Sequence, residues 1–271
     1  MKSPERLEID QLSEAYETYR NADRSGPMSV VQFLQEHDHG EKPSSLLISD
    51  LVQIDVELNW MVWGKRLPEM VENLDVDTVR EKFLRIPRLD DYLEIPLLKM
   101  VSQDPPSFQA MACCEMKSRN YWGDAIGPTY YFAKYGLIVP PDPSHAPNWG
   151  FCYFDGSSSR KNTFKFEYRG KTIIGRQRSG DVKGLFCEEL TDGNRIAIAG
   201  RLESKISRMQ LSVELLNTQY AIVSNLSSVN PVVKVGLGVL DPNQSEILRI
   251  PFSLRLPNRR LSFTSPGGSI L

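Results

Sequence analysis

Three short polar stretches follow one another along the strand-rich C-terminal third of the sequence. They are Gly175-Arg176, Ser207-Arg208 and the stretch 225–230, and each comes where a predicted strand gives way to a turn. Loops on a rigid β-scaffold are where binding residues usually collect. An Arg guanidinium, a Ser hydroxyl and Asn amides suit a phosphorylated side chain, which carries about −1.5 to −2 charge and three strong acceptor oxygens. The stretches therefore predict an anion pocket.

The order and spacing of the three stretches resemble the forkhead-associated (FHA) domain, a β-sandwich that binds phosphothreonine peptides. The family pattern is Gly-Arg, then Ser-Arg-x-His, then Ser-x-Asn-Gly, and the resemblance covers roughly residues 160–265. It implies two groups of site residues. Those implied to bind the phosphopeptide are Arg176, Ser207, Arg208, Ser228 and Asn230, and those implied to brace the loops are Gly175 and Asn225.

The chain departs from the family pattern at three positions. Gln210 replaces the His that usually braces the loop, Pro231 replaces the final Gly, and Val229 stands where the family usually has Thr, Ser or another side chain near the phosphothreonine. Two hypotheses follow. Either the sandwich binds phosphothreonine, or it is a structural interaction module with a degenerate FHA fold that no longer binds phosphate. Arg208 has two interpretations as well, because it could add charge to the pocket or pair with an acid such as Glu203.

Composition indicates an ordinary soluble protein with an uneven charge distribution. Of 271 residues, 41% are hydrophobic and 24% are charged. Residues 1–150 hold 15 Lys/Arg and 24 Asp/Glu, for a net charge of −9, whereas residues 151–271 hold 17 and 10, for +7. No apolar run reaches the length of a transmembrane helix, and the N-terminus has no apolar signal region, so we expect a cytoplasmic protein.

The N-terminal half has the apolar periodicity of helices. Predicted helices cover about 7–23, 30–38, 46–63, 68–74, 76–84, 107–120 and 128–135, with Ser44 or Ser45 capping the third and Gly64 ending it. A Trp-Gly junction occurs twice, at Trp63-Gly64 and at Trp122-Gly123, which indicates an internal repeat.

These helical residues resemble the segment that precedes the catalytic domain in planctomycete-type bacterial Ser/Thr protein kinases. The best matches are Glu115 to Arg119, Gly123-Asp124 and Tyr131 to Leu137. Kinase motifs themselves are missing, because the sequence has neither His-Arg-Asp nor Asp-Phe-Gly. The resemblance therefore implies a link to a kinase pathway rather than kinase activity.

The pattern changes after a proline-rich stretch. Residues 138–149, IVPPDPSHAPNW, contain four prolines, and strands with period-two alternation follow from Phe164. Eight strands are predicted, at 164–169, 171–176, 195–200, 210–216, 219–225, 231–240, 246–256 and 259–265. The fold class predicted is α+β multidomain. A helical repeat domain (1–137) precedes a Pro/Ser-rich linker (138–162) and an FHA-like all-β sandwich (163–265).

Catalytic and metal-binding patterns are missing from the sequence. Three histidines lie apart from any matching nucleophile, and the four cysteines show no C-x-x-C spacing. We therefore expect no enzyme activity, no metal and no cofactor. The sequence predicts a cytoplasmic signalling adaptor whose partner is a phosphorylated protein, with a Ser/Thr protein kinase as one candidate and with neither nucleic acid nor membrane as a ligand.

Overall fold

A computed structural model describes residues 4–20, 25–37, 43–140, 150–156, 163–168, 170–181, 185–190, 193–257 and 259–264. Its N-terminal part is helical, and the order of elements along the chain matches the predicted fold class. The helices are α1 (Pro4–Tyr19), α2 (Pro27–Glu36), α3 (Ser45–Asn73), α4 (Val76–Leu84), α5 (Leu89–Leu93), α6 (Pro96–Lys99), α7 (Pro105–Trp122) and α8 (Pro128–Lys134), with a 3₁₀ turn at Met100–Gln103.

The long helix α3 packs along α7 and forms the centre of the helical part. Ser44 caps α3 by accepting a hydrogen bond from the Leu47 backbone N–H at 3.2 Å, which confirms one of the two predicted caps. The predicted end at Gly64 is wrong, because α3 continues through Gly64 and Pro68 to Asn73. The segment predicted as a separate helix at 68–74 is therefore almost entirely the last part of α3.

The two Trp-Gly junctions are close-packing sites between α3 and α7. A Cβ atom on Gly64 would lie 2.4 Å from Cε3 of Trp122, and one on Gly123 would lie 2.3 Å from Cζ3 of Trp60. Each glycine thus makes room for an indole ring from the other helix. This contact explains why Gly64 occurs inside a helix, where glycine usually costs stability.

The C-terminal part is a sandwich of two six-stranded sheets, and with the helical part it confirms the predicted α+β class, in which helices precede an all-β sandwich. One sheet has the order β2-β1-β12-β11-β8-β9 and the other β10-β7-β6-β3-β5-β4, and all pairs are antiparallel except β3 with β5. The strands are β1 (Gly150–Gly156), β2 (Thr163–Tyr168), β3 (Lys171–Arg176), β4 (Phe186–Leu190), β5 (Gly193–Ala199), β6 (Leu211–Leu215), β7 (Tyr220–Asn225), β8 (Val232–Lys234), β9 (Gly238–Leu240), β10 (Ser245–Arg249), β11 (Phe252–Leu256) and β12 (Arg259–Thr264).

The sandwich contains more strands than the sequence predicted. Strand β1 lies inside the segment predicted as linker and pairs with both β2 and β12. Strand β4 was not predicted either. The run at 231–240 divides into β8 and β9, and the run at 246–256 divides into β10 and β11, which belong to different sheets. The chain therefore changes sheets within what the sequence pattern showed as one strand.

The helical part and the sandwich share a packed interface. Leu216 and Ile222, at one end of the β6–β7 hairpin, are buried in the same apolar cluster as the helical core. Trp63 Nε1 donates a hydrogen bond to the Leu216 carbonyl at 3.0 Å, and Arg80 lies 3.5 Å from the Glu214 carboxylate. The opposite end of the same hairpin leads into the loops 200–210 and 226–231.

None of the helices in the described ranges is both long and apolar enough to cross a membrane.

Candidate functional site

Three connections meet at the end of the sandwich that lies away from the helices. They follow β3, join β5 to β6, and join β7 to β8, and we call them together the loop end (residues 176–181, 200–210 and 226–231). The Arg176 backbone N–H donates to the Ser207 carbonyl at 3.0 Å. A Cβ atom on Gly175 would lie 2.2 Å from the Arg208 carbonyl oxygen. Glycine at this position therefore allows the first two connections to touch.

A pair of serine hydroxyls joins the second connection to the third. Ser207 Oγ donates to Ser227 Oγ at 3.1 Å, and Ser227 Oγ accepts from the backbone N–H groups of Asn230 at 3.0 Å and Val229 at 3.3 Å. Ser227 was not among the site residues predicted from the sequence. Its signal would have been the position of a Ser just before a turn, where the hydroxyl commonly bonds to the backbone two or three residues on.

Asn225 and Gln210 connect the same loops through side chains that are buried in the sandwich. Asn225 Nδ2 donates to the carbonyls of Asn230 at 2.9 Å and Leu240 at 3.1 Å. Gln210 Nε2 donates to Asn225 Oδ1 at 3.1 Å, and Gln210 Oε1 accepts from the Ser207 backbone N–H at 3.1 Å. Gln210 thus joins Ser207 to Asn225 at the position where the FHA pattern has a His.

The remaining predicted site residues lie around these hydrogen-bonded loops. Arg208 and Ser228 are exposed, and Asn230 Nδ2 donates to the Lys205 carbonyl at 3.1 Å. Arg176 donates through Nη1 to the Arg201 carbonyl, while its Nε is buried and has no hydrogen-bond partner among the described residues. The structure therefore brings the seven predicted residues together at one end of the sandwich.

The loop end carries a net positive charge, and its acids pair with arginines that lie outside it. Arg201 and Lys205 are exposed beside Arg208. Glu203 accepts from Arg259 Nη2 at 2.6 Å and from the Gly200 backbone N–H at 2.9 Å, so it does not pair with Arg208.

The other nearby acid, Asp181, accepts from Arg195 Nη2 at 2.7 Å. The hydrogen bonds from Arg195 and from the Arg178 backbone hold the pKa of Asp181 below its usual value. In the part of the chain that the structure describes, the loop end therefore presents guanidinium and hydroxyl groups with no free carboxylate beside them. This is the chemistry of an anion-binding site.

The kinase-like motif residues of the helical part have a different environment. Arg119 donates to both carboxylate oxygens of Asp124, at 2.8 Å and 2.6 Å, and lies 3.7 Å from Glu115. Tyr131 donates its hydroxyl proton to Glu115. Burial raises the pKa of Asp124, but the charge and hydrogen bonds of Arg119 outweigh burial and leave that pKa below its usual value. These residues therefore tie α7 to α8 and the loop between them.

The described residues contain no group of three or more His, Cys, Asp or Glu side chains placed to hold a metal ion.

Comparison with known proteins finds a likeness among solved structures. No protein-family model matches the chain, and no curated protein matches it. Among solved structures, one titled "Rv0020c_FHA Structure" is 19% identical and aligns over 44% of this chain and 93% of that chain, with a TM-score of 0.28. A TM-score of that size adds nothing to the assignment of function. The resemblance of the helical part to kinase segments finds no support in these comparisons.

Proposed function

We propose that the loop end binds a phosphorylated segment of a partner protein and that the chain is a non-enzymatic signalling adaptor. The ligand we propose is a phosphothreonine segment produced by a Ser/Thr protein kinase, and the setting is a cytoplasmic kinase pathway. A phosphate on this surface would meet the Arg176 guanidinium and the Ser207 hydroxyl, with Arg208 adding charge from the adjacent turn. Ser228 and Asn230 would contact the peptide beside it.

The observation that carries this proposal is the bracing by Gln210. A phosphate pocket needs donors that are held in place before the ligand arrives, because ordering them on binding would weaken affinity. Gln210 bonds to both Ser207 and Asn225, and Asn225 in turn holds the Asn230 carbonyl. The loss of the family's His therefore leaves the loops connected.

Two departures from the family favour weak binding, and they bear on the alternative of a sandwich that no longer binds phosphate. The Val229 side chain is 75% exposed and cannot donate a hydrogen bond. Pro231 lacks a backbone N–H and has a fixed φ. Both changes remove possible contacts to a peptide, but neither removes Arg176 or Ser207.

The test is a binding screen of the full chain against paired peptide libraries that differ only in phosphorylation. We expect enrichment of phosphorylated over unphosphorylated members, and loss of that enrichment for Arg176→Ala. Arg249→Ala is the matched control, because Arg249 is exposed on β10 opposite Tyr220, at the end of the β6–β7 hairpin next to the helices. Equal retention of both libraries by the unmodified chain would favour the phosphate-independent module.

A further inference from the structure

A concave surface lies between the helical part and the sandwich, away from the loop end. It is a cleft of about 360 Å³ lined by residues of both parts. From the helical part come Phe83, Leu84, Arg88, Tyr130 and Lys134, and from the sandwich come Lys171, Leu190 and Leu215. A volume in this range matches the small-ligand sites of proteins, which also combine apolar walls with a few polar groups.

The guanidinium of Arg88 faces this cleft with an incomplete set of hydrogen bonds to the rest of the chain. Its guanidinium carbon lies 4.2 Å from the centre of the Trp60 ring and 5.0 Å from that of Phe83. Nη2 makes a long hydrogen bond of 3.4 Å to the Phe83 carbonyl, and Nη1 is buried without a hydrogen-bond partner among the described residues. Burial lowers the pKa of Arg88 to about 10, although the nearby carboxylates of Asp124, Glu115 and Asp91 act to raise it.

The other charges around the cleft fall into two groups. Arg119 is neutralised by Asp124 and Lys134 by Asp90, while Glu214 pairs with Arg80. Lys171 is exposed at the start of β3 and forms no ion pair within the ranges that the structure describes. Within those ranges, Arg88 and Lys171, one from each part of the chain, therefore line the cleft as cations without a carboxylate partner.

The rim of the cleft is apolar and exposed. Leu84 is 66% exposed, Tyr130 is 40% exposed and Leu190 is 39% exposed, and Ile126 lies partly buried between the two parts. Aliphatic and aromatic side chains next to two unpaired cations suit a ligand that is itself amphiphilic. A guanidinium that lies over an indole ring can still hydrogen-bond to a carboxylate through its N–H groups.

We propose that this cleft binds a carboxylate carried on a hydrophobic group, with the carboxylate between Arg88 and Lys171 and the apolar group against Leu84, Tyr130 and Leu190. Such a carboxylate occurs in free organic acids and at the C-terminal residue of a peptide. The ligand would contact the helical part and the sandwich at once, so its binding would stabilise their association.

The experiment compares acids with their uncharged counterparts on the full chain by NMR titration and thermal unfolding. N-acetylphenylalanine represents a peptide C-terminus, 4-phenylbutyrate represents a free acid, and N-acetylphenylalaninamide is the neutral match of the first. We expect one or both acids to bind and raise the melting temperature, with the amide at least about tenfold weaker, as for loss of a hydrogen-bonded charge. Preference between the two acids identifies the source. Failure of both acids, or equal binding of the amide, overturns the proposal.

Variants test whether the two cations are responsible. Arg88→Gln should weaken the acid that binds by about tenfold or more, and Lys171→Glu by about threefold or more, without changing the affinity for the amide. Lys65→Glu is the control, since Lys65 is exposed on α3 and does not line the cleft. Lys171 is exposed, so its variant decides the question even if Arg88→Gln fails to fold. Equal affinity of Lys171→Glu and Lys65→Glu would contradict the assignment.

Discussion

The helical part and the loop end of the sandwich use the same side-chain types in opposite ways. In the helical part, Arg20 Nε donates to Asp55 at 2.7 Å and Nη2 donates to Asn59 at 2.6 Å, and Arg119 is held by Asp124. At the loop end, Arg176 donates to a backbone carbonyl and Arg208 is exposed, with the neighbouring acids already paired to other arginines. Arg20 and Arg119 are therefore structural groups, whereas Arg176 and Arg208 are not held by a carboxylate.

This difference shows why a motif of residue types is a weak guide to function. Glu115, Arg119 and Asp124 matched the kinase-like pattern, yet Arg119 is bonded to Asp124 and Glu115 to Tyr131 inside the protein. The FHA-like stretches are equally short, but their hydroxyls, amides and guanidinium groups are gathered at a surface. Where the chain itself neutralises a charge the residue stabilises the fold, and where it does not the residue remains able to bind a ligand.

Among the substitutions that test this comparison, we expect Asp55→Ala to have the largest effect on stability. The buried carboxylate of Asp55 accepts hydrogen bonds from Tyr16 at 3.1 Å, Arg20 at 2.7 Å, the Gly26 backbone at 2.8 Å, Asn59 at 3.0 Å and Tyr92 at 2.5 Å. Asp55→Ala leaves a buried guanidinium without its partner, which should lower the free energy of unfolding by about 3–5 kcal/mol in a denaturant titration.

The matched control for that prediction is Asp50, which is also on α3. Asp50 lies 3.0 Å from Arg6, whose side chain is 38% exposed, so their ion pair is close to solvent. Asp50→Ala should cost no more than about 1 kcal/mol. Similar losses for the two variants would mean that the buried cluster around Asp55 contributes no more than a surface ion pair.

A smaller effect is expected at the glycine that receives Trp122. Helix propensity alone predicts that Gly64→Ala stabilises α3 by up to about 1 kcal/mol. The contact with Trp122 predicts the opposite, a loss of about 1–3 kcal/mol, because the new methyl group would overlap the indole ring. The sign of the change in unfolding free energy, measured by denaturant titration, decides between them, and stabilisation would refute the close-packing interpretation of the Trp-Gly junctions.

The smallest effect concerns the choice between phosphothreonine and phosphoserine at the loop end. With Val229 largely exposed and Pro231 in place of Gly, we expect no deep pocket for the threonine methyl group. One buried methyl is worth about 0.8 kcal/mol, which is less than tenfold in affinity. Matched peptides that differ only in this residue measure it. A preference above about a hundredfold would mean that the pocket discriminates despite both departures.

The sequence predicted the order of the fold better than its details. Helical and alternating periodicities separate the two parts, because each depends only on local burial. Strand β1 was assigned to the linker since prolines precede it closely, and its pairing with β12 depends on residues more than a hundred positions away. The change of sheet between β10 and β11 was not predicted either, because apolar residues keep alternating along the chain where it moves from one sheet to the other.

The proximity of the candidate site residues was predictable from the sequence, but their connections were not. Gly175, Arg176 and Ser207 were identified from short stretches of sequence, whereas Ser227 and the bracing role of Gln210 follow only from the positions of three loops in space. The cleft lined by Arg88 and Lys171 could not be predicted at all. Its two cations come from different parts of the chain, and their lack of a carboxylate partner among the described residues depends on which acids the fold places nearby.

The most direct test of the proposed function is titration calorimetry of a phosphothreonine peptide, selected in the library screen, against the unmodified chain and three variants. Arg176→Ala should weaken binding by about 1.5–3 kcal/mol while the sandwich stays folded, as expected for lost hydrogen bonds to a charged group. Arg176→Lys should restore only part of the affinity, because lysine lacks the planar fork of the guanidinium. Arg249→Ala should leave affinity unchanged. Equal affinity of Arg176→Ala and the unmodified chain would contradict the assignment of the loop end as a phosphate-binding site.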